Sequence, residues 1–101
     1  MILIYTTHKN TEAAVNIGDL LIKDKLAACV NIWPIQSIYR DGDEIKSHLE
    51  AAMLIKTFEQ KLQQIEEVIE KNHPDKTPFI GAVDVRRFNR SYREWMMEVV
   101  K

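Results

Sequence analysis

Two strand-like runs meet across Asp41-Gly42-Asp43, and their length limits the folds open to this chain more than any other feature. On one side, Leu26-Ala27-Ala28-Cys29-Val30-Asn31-Ile32 reads as a strand that Pro34 interrupts or bulges before Ser37-Ile38-Tyr39 resumes extended character. On the other, Glu44 to Lys56 return as one strand, with Ala51, Met53 and Ile55 alternating against Ala52, Leu54 and Lys56. The chain has 101 residues, enough for a single domain spanning 1–101. A domain of that size buries roughly 60 to 65% of the surface its unfolded chain exposes, so this hairpin is longer than its own core requires. Its excess length leaves unpaired strand edges, and pairing with further copies of the chain in a closed oligomer is the natural cover.

The remaining segments fix the architecture. Ile2 to Tyr5 are continuously apolar, the pattern of a central strand covered on both faces, and Thr6 and Thr7 extend it towards a polar loop. Asn10 or Thr11 caps a first helix whose Ala13, Ala14, Ile17, Leu20 and Leu21 share a face. Gly18 costs that helix about 1 kcal/mol relative to Ala, which points to close approach to a strand. Thr57 with Gln60 has the spacing of a capping box, and Leu62, Ile65, Val68 and Ile69 form the stripe of a second helix that stops by His73-Pro74. Pro78 precedes a fourth strand, Phe79 to Val85, and Ser91 begins a closing helix with Tyr92, Trp95, Met96 and Val99 on one face. The order β-α-β-β-α-β plus a C-terminal helix is the α+β, ferredoxin-like sandwich, with two helices on one face of a four-stranded antiparallel sheet.

Charge and cysteine content exclude several function classes. Fourteen Lys and Arg against 15 Asp and Glu give a net charge of -1, which supplies no general field for a nucleic-acid backbone or an anionic membrane. The single cysteine, Cys29, forms no intrachain disulfide and no Cys/His zinc spacing, and it suits a reducing cytoplasm. The apolar start, Met-Ile-Leu-Ile-Tyr, lacks a basic flank and is too short for a signal peptide or a membrane span. A glycine-rich phosphate loop, a GxSxG elbow and an HExxH helix are all absent from the sequence, so no catalysis is expected.

Several segments together carry a resemblance: Lys25-Leu26-Ala27-Ala28-Cys29-Val30-Asn31, Ser37-Ile38-Tyr39, Glu50 followed by Leu54-Ile55-Lys56-Thr57, His73-Pro74 with Pro78, and Tyr92 with Trp95. In that order the chain resembles the CutA family of divalent-cation tolerance proteins from about Tyr5 to Val99. The resemblance implies a ferredoxin-like subunit in a tight homotrimer, with the long hairpins pairing between neighbours. Some bacterial members hold copper with a Cys near the end of the first strand and a His-His pair before the Pro. Here those positions read Tyr5, Asn72 and His73, so only His73 matches, and a phenol and an amide are poor replacements for a thiolate and an imidazole. The acidic group that the family usually carries after Pro78 is replaced by Phe79.

Candidate site residues each admit two readings. His73 is either a metal ligand through a neutral ring nitrogen or a cap on the last carbonyls of the second helix. Glu50 and His48 share a strand face, as half of a surface cation site with His8 or a neighbouring subunit, or as a solvated edge. Cys29 is a small buried hydrophobe before it is a ligand, and Trp33 and Trp95 are core or interface anchors. Arg86 to Arg93 form one basic, aromatic-interleaved patch, in which Arg86 and Arg90, with Lys56, either hold a small anionic ligand or make caps and salt bridges. The expected protein is therefore a cytoplasmic homotrimer that requires no cofactor. It binds a divalent cation, copper or zinc, at His73 and Glu50 near subunit clefts, and neither nucleic acid nor membrane is a partner. The alternative is a signalling trimer like the PII proteins, binding a nucleotide or small metabolite between subunits.

Overall fold

A computed structural model describes residues 1–101 and shows four strands and three helices: β1 (Ile2–His8), α1 (Thr11–Lys23), β2 (Cys29–Asp41), β3 (Glu44–Thr57), α2 (Leu62–Asn72), β4 (Ile80–Asp84) and α3 (Arg90–Val99). The sheet runs β2-β3-β1-β4 and every neighbouring pair is antiparallel, which is the expected ferredoxin-like topology. Along β1 the residues Ile2, Ile4, Thr6 and His8 are buried against the helices, while Leu3, Tyr5 and Thr7 on the other face are half-buried. The expectation of equal cover on both faces is thus corrected: α1 and α2 occupy one face, and the second is open apart from α3 at one end.

Alternation places Ile55 and Met53 of β3 beside Ile4 and Thr6, and Ile17 and Leu21 of α1 with Ile65 and Ile69 of α2 close over them. Gly18 lets α1 approach: a Cβ there meets Val30 Cγ2 at 3.0 Å and Met53 Sδ at 3.5 Å. Leu20, expected on the packed face of α1, is 38% exposed, because Ala14, Ile17, Gly18 and Leu21 already fill the contact arc. A smaller cluster of Ala28, Met96 and Val100 fastens α3 to the far end of the sheet.

Local chemistry explains the element ends. Asn10 Oδ1 accepts from Ala13 N at 2.8 Å and caps α1. The helix closes with Leu26 N donating to Leu21 O and Lys25 N to Ile22 O, both 3.0 Å, a Schellman arrangement with Lys25 at φ 58°. That turn holds Leu26, Ala27 and Ala28 as a buried link, so β2 begins only at Cys29. Thr57 is not a helix cap: it ends β3, and its Oγ1 donates to Leu26 O at 2.6 Å. A 3₁₀ turn at Glu59–Lys61 leads into α2 instead. Pro34 does not interrupt β2, which stays paired through Pro34↔Ala51, because an edge strand has an outward side where a missing N–H is not needed. β4 is shorter than expected, and α3 starts at Arg90 with Ser91 inside its first turn.

The hairpin outruns the sheet. β1 ends at His8 opposite Ala51, so β3 from Glu44 to Glu50 has only β2 beside it. Asp41 pairs with Glu44 across a two-residue turn whose first residue, Gly42, has φ 64°, the position that a type II′ turn reserves for glycine. The ribbon stretches the molecule to 48 × 25 × 21 Å, and Ile38, Ile45 and Leu49 on it are 71%, 70% and 76% exposed. Only 20 of 101 residues are buried, a core too small to account for this arm.

Candidate functional site

The predicted site residues separate into two groups at opposite ends of the sheet. Glu50 lies just past the end of β1, whereas Lys56 pairs with Cys29 and, across the strand, with Leu3 near its start. Six residues of strand hold Glu50 and Lys56 roughly 20 Å apart.

At the first end, Glu50 and Asp75 together line two adjoining clefts. One, of about 450 Å³, adds His48, Lys9 and Asn10, and the other, of about 760 Å³, adds Thr7, Tyr39 and Lys76. His48 stacks at 5.8 Å on Tyr39 of the neighbouring strand, which holds its ring over the arm. His8 does not join this set as expected. It belongs to the opposite, helix-covered face of the sheet and is 2% exposed. Asp75 is the residue that sequence reasoning missed as a site member, because nothing in its local pattern announces that the loop after α2 returns to β3.

His73 explains why the loop returns. Its side chain is 2% exposed, its Nε2 donates to Thr7 O at 2.8 Å, and its Nδ1 accepts from Asp75 N at 3.1 Å. A carbonyl only accepts and an amide only donates, so the ring is neutral with its proton on Nε2, and neither nitrogen offers a free lone pair. The 3.9 Å approach of Asp75 Oδ2 to Nδ1 is then no ion pair. The expectation of His73 as a direct ligand is corrected to this extent: the imidazole ties the loop to β1 and fixes where the Asp75 carboxylate stands. It does not cap α2 either.

His8 packs beside it, with ring centroids 5.2 Å apart, and its Nε2 meets Thr6 Oγ1 at 2.7 Å. Burial above all pushes the His8 pKa from 6.5 down to about 4, with the Asp75 carboxylate pulling the other way. An unfolded chain therefore takes up the His8 proton at higher pH than the folded one. The stability that follows is fully present above pH 6.5 and is lost as pH falls towards 4. Urea midpoints across that window are expected to drop with acid in the wild type and to drop less in His8→Asn; parallel profiles for the two proteins contradict the assignment.

At the second end, Lys56 Nζ sits 5.5 Å from the centre of the Tyr92 ring, and Tyr92 meets Trp95 edge to face at 5.3 Å. Arg86 follows β4 and Arg90 opens α3; both are exposed. Arg93 lies over Phe88 at 4.8 Å. Lys56, Arg86 and Arg90 have no carboxylate partner within the chain, whose one ion pair joins Lys46 to Asp41. Cys29 is half-buried at the head of β2, and Trp33 and Trp95, expected as core or interface anchors, are 40% and 42% exposed, so neither belongs to the core of the chain.

No three His, Cys, Asp or Glu side chains converge closely enough to hold a metal ion within one chain. Fold and site thus define a class: a ferredoxin-like domain with an overlong β2–β3 arm, an uncovered sheet face and polar clefts at the arm's base. The model of the family described as CutA1 divalent ion tolerance protein matches residues 2–99, and the chain belongs to that family. It is 38% identical over 100 residues to the divalent-cation tolerance protein CutA of Thermotoga maritima, covering 99% of both chains. The CutA of Archaeoglobus fulgidus is 35% identical over 98 residues, covering 97% of this chain and 96% of that one. A solved structure of CutA from A. fulgidus, described as periplasmic, superposes with TM-score 0.96 at 34% identity over 100% of both chains. CutA1 of Pyrococcus horikoshii gives 0.95 at 31% identity, covering 100% of this chain and 99% of that one. No helix is long and apolar enough to cross a membrane.

Proposed function

We propose that this protein is a cytoplasmic homotrimer that binds a divalent cation, copper or zinc, where the arm leaves the sheet, and that it contributes to metal tolerance without catalysing a reaction. The observation that carries the reading is the pair Glu50 and Asp75, which face two adjoining clefts beside His48 but fall short of a complete ligand set. Two carboxylates and an imidazole form a mixed oxygen and nitrogen set that suits zinc or divalent copper, and a neighbouring subunit supplies what one chain lacks. His73 serves this site by holding Asp75 rather than by touching the ion. The unpaired edge of β3 from Glu44 to Glu50 and the exposed apolar residues of the arm support the assembly. The free thiol of Cys29 supports the reducing compartment.

Calorimetric titration with zinc and copper on wild type and Glu50→Gln tests the site. The variant is expected to bind about tenfold or more weakly, at least about 1.4 kcal/mol. Equal affinity in the two proteins removes Glu50 from the site. The signalling alternative draws on Lys56, Arg86 and Arg90, cations left without partners in the chain. A thermal-shift screen separates the two: stabilisation by adenine nucleotides and by no metal selects the signalling trimer.

A further inference from the structure

A third cavity, of about 280 Å³, lies between α1 and the end of α2, on the helix-covered side of the sheet and away from the arm. His8 lines it, and the ring is 2% exposed with Nε2 held by Thr6. Its Nδ1 makes no hydrogen bond, yet no buried polar side-chain atom of the chain lacks a partner. Nδ1 therefore keeps contact with open space, and this cavity is the open space that His8 lines. A buried imidazole with one nitrogen open to a cavity leaves that nitrogen to a water or a ligand.

The rest of the lining says what kind. The Thr6 hydroxyl both donates and accepts, so it suits either tautomer of the His8 ring; with Thr6 as donor to Nε2, the ring's own proton stands on Nδ1. Lys9 adds an ammonium with no ion-pair partner, and Asn16 adds an amide with no recorded hydrogen bond. These groups fit an anion and oppose a metal ion. Asn72 differs: its Nδ2 is spent on Val68 O at 2.7 Å, so what it has left is the acceptor Oδ1. Beside these polar groups lie the buried Ile17 and the exposed Leu20. At about 280 Å³ the cavity lies just below the usual range for small-molecule pockets, roughly 300 to 1,000 Å³, which limits it to a small ligand.

We propose that this cavity binds a small aliphatic α-amino or α-hydroxy acid of about the size of leucine. Its carboxylate sits among His8 Nδ1, Asn16 and Lys9, its α-donor meets Asn72 Oδ1, and its branched chain lies on Ile17 and Leu20. The site is separate from the cation clefts, although Lys9 borders one of them.

Nuclear magnetic resonance titration of the full-length protein tests this with L-leucine, 2-hydroxy-4-methylpentanoate and, as a control without a carboxylate, 3-methylbutylamine. Saturable shifts of the His8 ring and of the Asn16 and Asn72 side-chain amides are expected with both acids, at a Kd of about 1 mM, and none with the amine. Lys9 is exposed, so Lys9→Met folds normally; it is expected to weaken both acids about tenfold. Alanyl-leucine distinguishes the source, since binding of the dipeptide as well as the free acid assigns the site to peptide C-termini, and binding of the free acid alone to a metabolite. Absence of saturable shifts with either acid, equal shifts with the amine, or unchanged affinity in Lys9→Met overturns the proposal.

Discussion

Replacing Gln36–Leu49 by Asn-Gly is expected to convert the proposed trimer into a folded monomer. The replacement preserves the register at Ile35↔Glu50 and supplies the turn residues that a two-residue hairpin needs. None of the removed residues is buried, and the core from Met53 to Thr57 is untouched. An ordered ribbon with no cover is costly, since fixing each backbone residue takes about 1–2 kcal/mol and an isolated two-stranded hairpin is marginal in water. In the proposed trimer the arm takes its order from neighbouring subunits. Sedimentation velocity is expected to show one chain per particle for the shortened protein, with its circular dichroism still that of a folded α+β domain. Persistence of the native oligomer after excision removes the arm from the assembly mechanism.

The second large effect concerns the core on which the arm is mounted. Ile55→Ala is expected to destabilise the protein by about 2–5 kcal/mol, because Ile55 is fully buried between Ile4 and Val30 and its truncation leaves a cavity under the helices. Against a typical total of roughly 5–15 kcal/mol, that is enough to lower the denaturation midpoint severely. Ile45 is the control, a residue of the same type in the same strand that is 70% exposed. In the shortened monomer's parent fold it contributes nothing to the single-chain core, so Ile45→Ala is expected to act on assembly rather than on subunit packing. Urea unfolding monitored by circular dichroism measures both; a change below about 1 kcal/mol for Ile55→Ala contradicts the core described here.

The order of elements and the excess hairpin length were legible because they rest on period-two alternation and on one turn signal, Asp41-Gly42-Asp43, both of which are local. Thr57 misled for a physical reason. A capping-box spacing records only that a hydroxyl is near, and here a carbonyl 31 residues away, Leu26 O, takes it first. Pro34 misled because its cost depends on whether the strand is at an edge, a property of the sheet rather than of the segment. Half of the candidate site was visible in sequence, since Glu50 stands as a carboxylate on an overlong strand. His73 was found as a residue but not as a role, since both its partners, Thr7 O and Asp75 N, are fixed only when α2 returns the chain to β1. His8 carried a readable signal that the apolar run Ile2–Tyr5 obscured, because it continues the buried series Ile2, Ile4, Thr6.

Every functional statement about the clefts rests on the assembly, because one chain leaves the Glu50 and Asp75 carboxylates, the edge of β3 and the arm's apolar residues without partners. The most direct measurement is the mass of the unmodified protein in solution by size-exclusion chromatography with light scattering at micromolar concentration, without added metal. Three times the chain mass is the predicted result. A particle of one chain mass contradicts the account.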